Sequence, residues 1–389
     1  AAALAGENGN GKVLPELPPD PQVTAILEKL GDNEYAQLPP TKITGEFNAL
    51  AKRCRLDTRG PGIRNFCLKM PYAPDRKRAF YAGGNHGAPH KLNDLWEFDL
   101  GANTWVMLSA PDLNLRRGQK NKFKTVDGVY MSEGGRIAVG GHTFSGFTYD
   151  PNAKRVLWYH KHMGPRESGY LGPYLWAFEP NTRTWEHIKT KKPWPKYDPG
   201  SGFDYIPKLR KCIWSNNRTG PSIWTYDHAT RSWTSLGARG SRDQHALMSA
   251  QKVYDFKRDL LICHGGHSDY TSEFDFATRT WKKTAVCEEG HKEVPKGADK
   301  LTLFAYDSVN AVVLLCDNLG GYIWIYDPDT KKWTRTAPKN SQPDRRCTRG
   351  IHKGNKFLPL GFFDSARNAL VMNDGGKATW VYRYKRAGN

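Results

Sequence analysis

The chain has 389 residues, of which 38% are hydrophobic and 25% are charged. This balance excludes an intrinsically disordered chain. Lysine and arginine number 58 against 39 acidic residues, and the resulting net charge of +19 predicts an electrostatic field that attracts polyanions. No stretch approaches the roughly 18 consecutive apolar residues of a membrane-spanning helix, so no membrane partner is expected.

The beginning of the chain resembles the mature end of an exported protein. It starts with Ala-Ala-Ala-Leu-Ala-Gly and continues through a proline-rich stretch around residues 15–21. A small-residue start of this kind is typical of what remains after a signal peptide is removed, although a truncated start explains it equally well. We therefore expect a secreted or periplasmic protein.

Two signatures alternate along the rest of the chain. The first is an acidic residue followed six positions later by tryptophan, as in LWEFDLGANTW. The tryptophans of this signature are Trp105, Trp185, Trp233, Trp281 and Trp333, and the last four recur at intervals of 48, 48 and 52 residues. Each segment predicts a strand, a short turn and a second strand that begins at the tryptophan.

The second signature is an aromatic residue, a turn with acid or proline, a basic residue and an apolar strand. It begins at Tyr72, Tyr149, Tyr205, Tyr254, Tyr306 and Phe363. The two signatures together predict six four-stranded blades, with strands A to D running from the centre outward, in an all-β propeller. Seven blades are the alternative, because the connection from Leu108 to Phe147 is long enough for an irregular blade.

The last repeat lacks an outer strand. It ends in ATWVYRYK, whereas GDNEYAQLPP near the N-terminus resembles the outer-strand segment ANTWVMLSAP. We predict that residues 34–38 pair with residues 378–385 and close the ring, which removes an open sheet edge. Residues 1–33 are then an N-terminal extension, and residues 34–389 form a single propeller domain.

The chain resembles the kelch-repeat superfamily over roughly residues 71–385. The resemblance rests on the spaced tyrosines and tryptophans and on glycine pairs after strand B, namely Gly83-Gly84, Gly265-Gly266 and Gly375-Gly376. It implies the propeller fold and leaves the function open, since propellers support binding and several kinds of catalysis.

Propeller topology sorts the loops by face. We call the face that receives the D-to-A and B-to-C connections the upper face, and the face of the A–B and C–D turns the lower face. Nine of the twelve histidines are expected on the upper face: His86, His90, His142, His160, His162, His245, His264, His267 and His352. Because a purely structural histidine has no reason to prefer one face, this bias predicts a functional site there.

The upper-face residues suit the cleavage of a uronate-containing polysaccharide by β-elimination. That reaction needs a cation to neutralise the carboxylate, a base for the C5 proton and an acid for the leaving oxygen. The predicted catalytic residues are His86, His142, Tyr174 and Arg218. The predicted substrate-binding residues are Asn85, Tyr170, Arg242, His245, Tyr270 and Arg349. The arrangement is similar to propeller polysaccharide lyases such as ulvan lyases and oligogalacturonate lyase, without an aligned motif.

A divalent metal such as zinc, manganese or calcium is a further possibility. The candidate ligands are His160, His162, His264 and His267, because histidines at alternate strand positions point to one side. The expected partner is an acidic polysaccharide; nucleic acid is not expected, and the protein is predicted to be a monomer. Two alternatives stay open, a non-catalytic glycan- or protein-binding propeller and a metal-dependent hydrolase.

Overall fold

The computed structural model of the protein is almost entirely β-sheet. It describes residues 17–62, 64, 67, 69–83, 92–113, 123–137, 143, 145–160, 174–196, 201–216, 222–240, 251–264, 270–286, 303–316, 322–340 and 360–387. Within these ranges the helices are short and all near the N-terminus: α1 (Pro21–Lys29), α2 (Ala49–Arg53) and α3 (Leu56–Arg59).

The strands form six blade sheets in chain order, preceded by β1 (Glu34–Gln37) and β2 (Lys42–Gly45). Blade 1 holds β3 (Tyr72–Ala73), β4 (Arg78–Ala82), β5 (Leu95–Asp99) and β6 (Thr104–Ser109), and a hairpin of β7 (Phe123–Val126) and β8 (Val129–Ser132) follows it. Blade 2 holds β9 (Phe147–Asp150), β10 (Arg155–His160), β11 (Tyr174–Glu179) and β12 (Thr184–Ile188). Blade 3 holds β13 (Gly202–Ile206), β14 (Lys211–Ser215), β15 (Ile223–Asp227) and β16 (Ser232–Ser235).

Blade 4 holds β17 (Gln251–Asp255), β18 (Leu260–His264), β19 (Tyr270–Asp275) and β20 (Thr280–Val286). Blade 5 holds β21 (Leu303–Asp307), β22 (Val312–Cys316), β23 (Ile323–Asp327) and β24 (Lys332–Thr336). Blade 6 holds β25 (Leu360–Asp364), β26 (Ala369–Asn373) and β27 (Thr379–Arg383). The prediction of a six-bladed propeller is confirmed. In the described part of the connection that suggested a seventh blade, the structure has one hairpin, β7–β8, and isolated β-bridges, but no four-stranded sheet.

The ring closes as the sequence predicts. Strand β1 pairs antiparallel with β27 and supplies the outer strand of blade 6, with Tyr35 opposite Tyr382. The Tyr35 side chain is buried, and its ring centroid lies 5.0 Å from that of Tyr382. Because β1 covers the free edge of β27, the last blade does not offer that edge to another chain.

Blade 1 carries a fifth strand that the sequence did not reveal. Strand β2 runs parallel to β6, with Gly45 opposite Met107. The backbone at Gly45 has a φ of 128°, and a Cβ there would lie 2.5 Å from the carbonyl oxygen of Met107. Only glycine fits this approach, so the segment after β1 is fixed against the neighbouring blade.

The repeated acid of each signature forms the turn that follows it. The Asp150 carboxylate accepts from the backbone N–H groups of Asn152 and Ala153, and Asp275 does the same for Ala277 and Thr278. A residue with positive φ then ends each turn, as at Lys154, Arg210, Arg231, Arg279 and Lys331. Such side-chain-to-backbone bonds stabilise tight turns, which explains the fixed spacing from acid to tryptophan.

The tryptophans that begin the outer strands pack against the preceding blade. The indole N–H of Trp105 donates to Asn373 of blade 6 at 3.3 Å, and that of Trp185 donates to Ser109 of blade 1 at 2.9 Å. The ring of Trp233 lies 5.5 Å from that of Tyr159 in blade 2. All five occupy equivalent positions as predicted, and all are buried except Trp185, which is half-buried.

Candidate functional site

A cavity of about 550 Å³ lies at the centre of the ring. All six innermost strands, or the segments beside them, contribute to its wall. The aromatic residue of each second signature lines it, namely Tyr72, Tyr149, Tyr205, Tyr254, Tyr306 and Phe363. A concave cavity of this size with aromatic walls and a few polar groups is typical of a small-ligand site.

Tyrosine–aspartate bonds link neighbouring blades at the lower end of this cavity. The Tyr72 hydroxyl donates to Asp364 of blade 6 at 2.9 Å, and the Tyr306 hydroxyl donates to Asp255 of blade 4 at 2.5 Å. The Tyr149 hydroxyl donates to Asp75 of blade 1 at 2.9 Å. Burial, reinforced by these carboxylates, raises the pKa of all three phenols, so they stay neutral donors at physiological pH. The lower end is therefore held by bonds between blades.

Charged side chains gather toward the upper end of the cavity. We call Lys69, Asp204 and Lys252 the upper cluster; all three line the cavity. The Lys69 ammonium donates to the Phe203 carbonyl oxygen at 2.6 Å and to Oδ1 of Asp204. Asp204 and Lys252 are 6% and 7% exposed, so water screens this cluster weakly.

The second oxygen of Asp204 is buried and has no hydrogen-bond partner within the described part of the chain. It lies beside Gly202, where an added Cβ would stand 3.0 Å from Asp204 Oδ2, from Lys252 Cδ and from Ser215 Oγ. Glycine at this position therefore lets the carboxylate and the lysine side chain approach the backbone of the innermost strand closely.

Two of the predicted site residues are buried in the packing between strands. The Tyr174 hydroxyl accepts a hydrogen bond from the backbone N–H of Tyr130 at 3.2 Å, which attaches hairpin β7–β8 to blade 2. His264 Nδ1 lies 3.0 Å from the Thr271 hydroxyl, and its ring centroid is 4.8 Å from that of Trp333. These contacts give both residues a structural role, and their predicted catalytic and metal-binding roles stay predictions.

The remaining predicted residues divide into two groups. Tyr270 begins β19, with the Lys283 ammonium 4.3 Å from its ring centroid, and His160 ends β10 opposite Tyr174 in the strand register. The others lie outside the described residues: Asn85, His86, His142, His162, Tyr170, Arg218, Arg242, His245, His267 and Arg349.

Sequence reasoning missed the upper cluster. Asp204 stands one residue before Tyr205, the cavity-lining tyrosine of blade 3. The same position in blades 2, 4 and 5 holds Thr148, Val253 and Ala305. The sequence did carry one signal for Asp204: it is a charged residue at an inner-strand position that is uncharged in the other blades compared. Nothing in the repeat distinguished Lys69, because it precedes the first blade's inner strand.

Within the described ranges, no three histidine, cysteine or acidic side chains come together as metal ligands. No helix in the same ranges is both long enough and apolar enough to cross a membrane.

The fold and the cavity define a six-bladed β-propeller with a central ligand-sized cavity. No protein-family model and no curated protein matches the sequence. An auxiliary nutrient binding protein from Bacteroides thetaiotaomicron is 10% identical, with 90% of this chain and 77% of that chain covered and a TM-score of 0.49. The GH74 xyloglucanase from Xanthomonas campestris is 13% identical, with 87% and 43% covered and a TM-score of 0.47.

TolB from Acinetobacter baumannii is 14% identical, with 71% of this chain covered and a TM-score of 0.42. The matched part spans 55% of the length of TolB. At such identities the similarity concerns the fold alone.

Proposed function

We propose that the protein binds an acidic polysaccharide on the upper face and cleaves it at a uronate residue by β-elimination. The observation that carries the proposal is a ligand-sized cavity on the axis of a chain with a net charge of +19. A cationic protein attracts a polyanion over distance, and a concave aromatic-walled site suits individual sugar rings.

The chemistry assigns a role to each predicted catalytic residue. Arg218 neutralises the uronate carboxylate, which makes the C5 proton more acidic. One of His86, His142 and Tyr174 takes that proton, and another gives a proton to the leaving O4 as the C4–O4 bond breaks. A double bond then joins C4 and C5. A positioned acid or base contributes about 10²–10⁴ in rate.

The proposal includes the kelch type of the propeller and a secreted or periplasmic location. The kelch type rests on the glycine pairs and on the spaced aromatic residues of the sequence. Among these glycines, Gly83 and Gly375 adopt positive φ values of 122° and 73°, as residues that end a strand in a tight turn do.

The deciding experiment incubates the full chain with a panel of acidic polysaccharides and with neutral polysaccharides as the control. β-Elimination creates an unsaturated uronate, so ultraviolet absorbance should rise with acidic substrates and stay flat with neutral ones. New reducing ends without that absorbance would identify a hydrolase instead. Binding without either signal would identify a non-catalytic glycan-binding propeller.

A further inference from the structure

We infer that Lys69 and Lys252 bind the carboxylate of one uronate residue inside the central cavity, and that Asp204 positions Lys69 for this contact. The inference rests on the proposed function for the class of ligand, an acidic sugar. It adds a subsite on the axis of the ring, formed by residues that the sequence did not single out.

The geometry of Lys69 supports this role. An ammonium group has three protons to donate. Two of them are directed to Phe203 O and Asp204 Oδ1, and within the described part of the chain the third has no acceptor. The side chain is 20% exposed and lines the cavity. Lys69 is thus held in place, and as far as the described residues show, one of its donors is left for a ligand.

The charge of the upper cluster favours an anion. The upper cluster contains two lysines and one carboxylate, in a chain whose net charge is +19. It is largely buried, and interactions between charges are stronger there than at an exposed surface. Charge-assisted hydrogen bonds from lysine to a carboxylate are among the stronger contacts available to a ligand.

The unsatisfied oxygen of Asp204 is an independent sign that the site is incomplete. Buried acceptors in folded proteins almost always have a hydrogen-bond donor. Asp204 Oδ2 has none within the described residues. A uronate carries hydroxyl groups next to its carboxylate, so the same sugar offers an anion for the lysines and a donor for the aspartate.

The rest of the cavity fits a short sugar chain. Its volume of about 550 Å³ falls in the range of sites for small organic ligands. Below the upper cluster the wall is aromatic, and the apolar C–H face of a sugar ring packs against such rings. A ligand with a carboxylate at one end and sugar rings below it therefore matches the distribution of polar and aromatic groups.

The experiment measures binding of a uronic acid disaccharide and of its neutral counterpart by titration calorimetry, using the full chain. Lys69→Met and Lys252→Met should each weaken uronate binding by at least about tenfold, as the loss of a charge-assisted hydrogen bond does. Lys69→Arg, which keeps the charge, should retain part of the affinity.

The matched control is Lys208→Met, because Lys208 pairs with Asp259 and its side chain, 66% exposed, lies outside the cavity. This control should bind as the parent protein does.

Asp204→Asn tests the positioning role. If Asp204 only added negative charge, its removal should tighten uronate binding; if it orients Lys69, its removal should weaken binding despite the more positive site. Melting curves identify any variant that fails to fold, and the partly exposed Lys69 carries the test if Lys252→Met does not fold.

Unchanged uronate binding in both Lys69→Met and Lys252→Met would overturn the subsite while leaving the proposed function intact. Equal binding of the neutral disaccharide by the parent protein would also overturn it. The proposed function itself fails separately, when the parent protein neither binds nor cleaves any acidic polysaccharide.

Discussion

The indole of Trp333 in blade 5 donates a hydrogen bond of 2.8 Å to the Thr271 hydroxyl in blade 4. The same hydroxyl lies 3.0 Å from Nδ1 of His264. Three residues from two blades therefore form one buried polar chain, which joins the outermost strand of one blade to the middle of its neighbour. The indoles of Trp105 and Trp185 also donate to the preceding blade, whereas the Trp233 indole nitrogen is buried without a hydrogen-bond partner in the described part of the chain, so Trp233 is held there by ring packing alone.

Trp333→Ala should lower the free energy of unfolding by about 3–5 kcal/mol, because it removes a large buried ring and leaves a cavity. Trp333→Phe keeps most of the ring and should cost less, chiefly the hydrogen bond to Thr271. The matched control is Trp185→Ala, at the equivalent but half-buried position, where we expect a smaller loss. Denaturant unfolding monitored by circular dichroism measures all three. Equal losses at positions 333 and 185 would show that burial between blades does not set the cost.

Ring closure should depend on Tyr35. Tyr35→Ala removes a ring that packs on Tyr382 beside Cys316, and we expect a loss of about 3–5 kcal/mol, as for other buried aromatic rings. Gln37→Ala changes an exposed side chain on the same strand and should leave the melting temperature nearly unchanged. Thermal unfolding and light scattering follow the two variants. If Tyr35→Ala melts like Gln37→Ala, strand β1 does not stabilise the ring.

The three cavity-lining tyrosines that bond to aspartates of neighbouring blades should make the protein sensitive to alkali. Burial raises the pKa of Tyr72, Tyr149 and Tyr306, so the folded state favours their neutral forms. The stability they provide is fully present below the unfolded phenol pKa of about 10 and is lost as the pH rises above it. We expect a steep fall of the melting temperature above that pH, coincident with phenolate absorbance.

Tyr306→Phe tests the contribution of one of these bonds. It removes the hydroxyl that donates to Asp255. It also removes one ionisable group from the tyrosine–aspartate bonds at the lower end of the cavity. The variant should melt at a lower temperature at neutral pH and lose less additional stability in alkali than the parent protein. An unchanged alkaline profile would indicate that Tyr306 ionises without unfolding the lower end.

The proposed catalytic residues can be tested once a cleaved polysaccharide is identified. His86→Ala and Arg218→Ala should each lower turnover by about 10²–10⁴, the usual cost of removing a positioned catalytic group. Both should keep the parent melting temperature if these residues act on substrate rather than hold the blades together. Full activity in both variants on every polysaccharide that the parent cleaves would show that the assigned residues are wrong.

Tyr174→Phe separates a catalytic role from a structural one. The Tyr174 hydroxyl accepts from the backbone of hairpin β7–β8, so its loss leaves Tyr130 N–H without that acceptor. A catalytic hydroxyl predicts a large fall in turnover with little change in melting temperature. A purely structural hydroxyl predicts lower stability, by about 1 kcal/mol, with turnover kept.

The sequence by itself predicted the strand order within each blade, the closing strand and a count of six blades, with seven left as the alternative. It could do so because these features depend on local patterns: an aspartate that forms its own turn, a tryptophan six residues later and alternating apolar strands. Even the closure at Tyr35 was predictable, because the missing outer strand of the last repeat left one place for a matching segment.

Only the tertiary structure decided which polar residues meet on the axis. Lys69, Asp204 and Lys252 are far apart in the sequence and share no motif, so their meeting depends on the curvature that brings six inner strands around one cavity. The structure also gave His264 and Tyr174 packing partners from other strands and from hairpin β7–β8. A side chain's partners across a blade boundary follow from long-range packing, which the local sequence pattern does not encode.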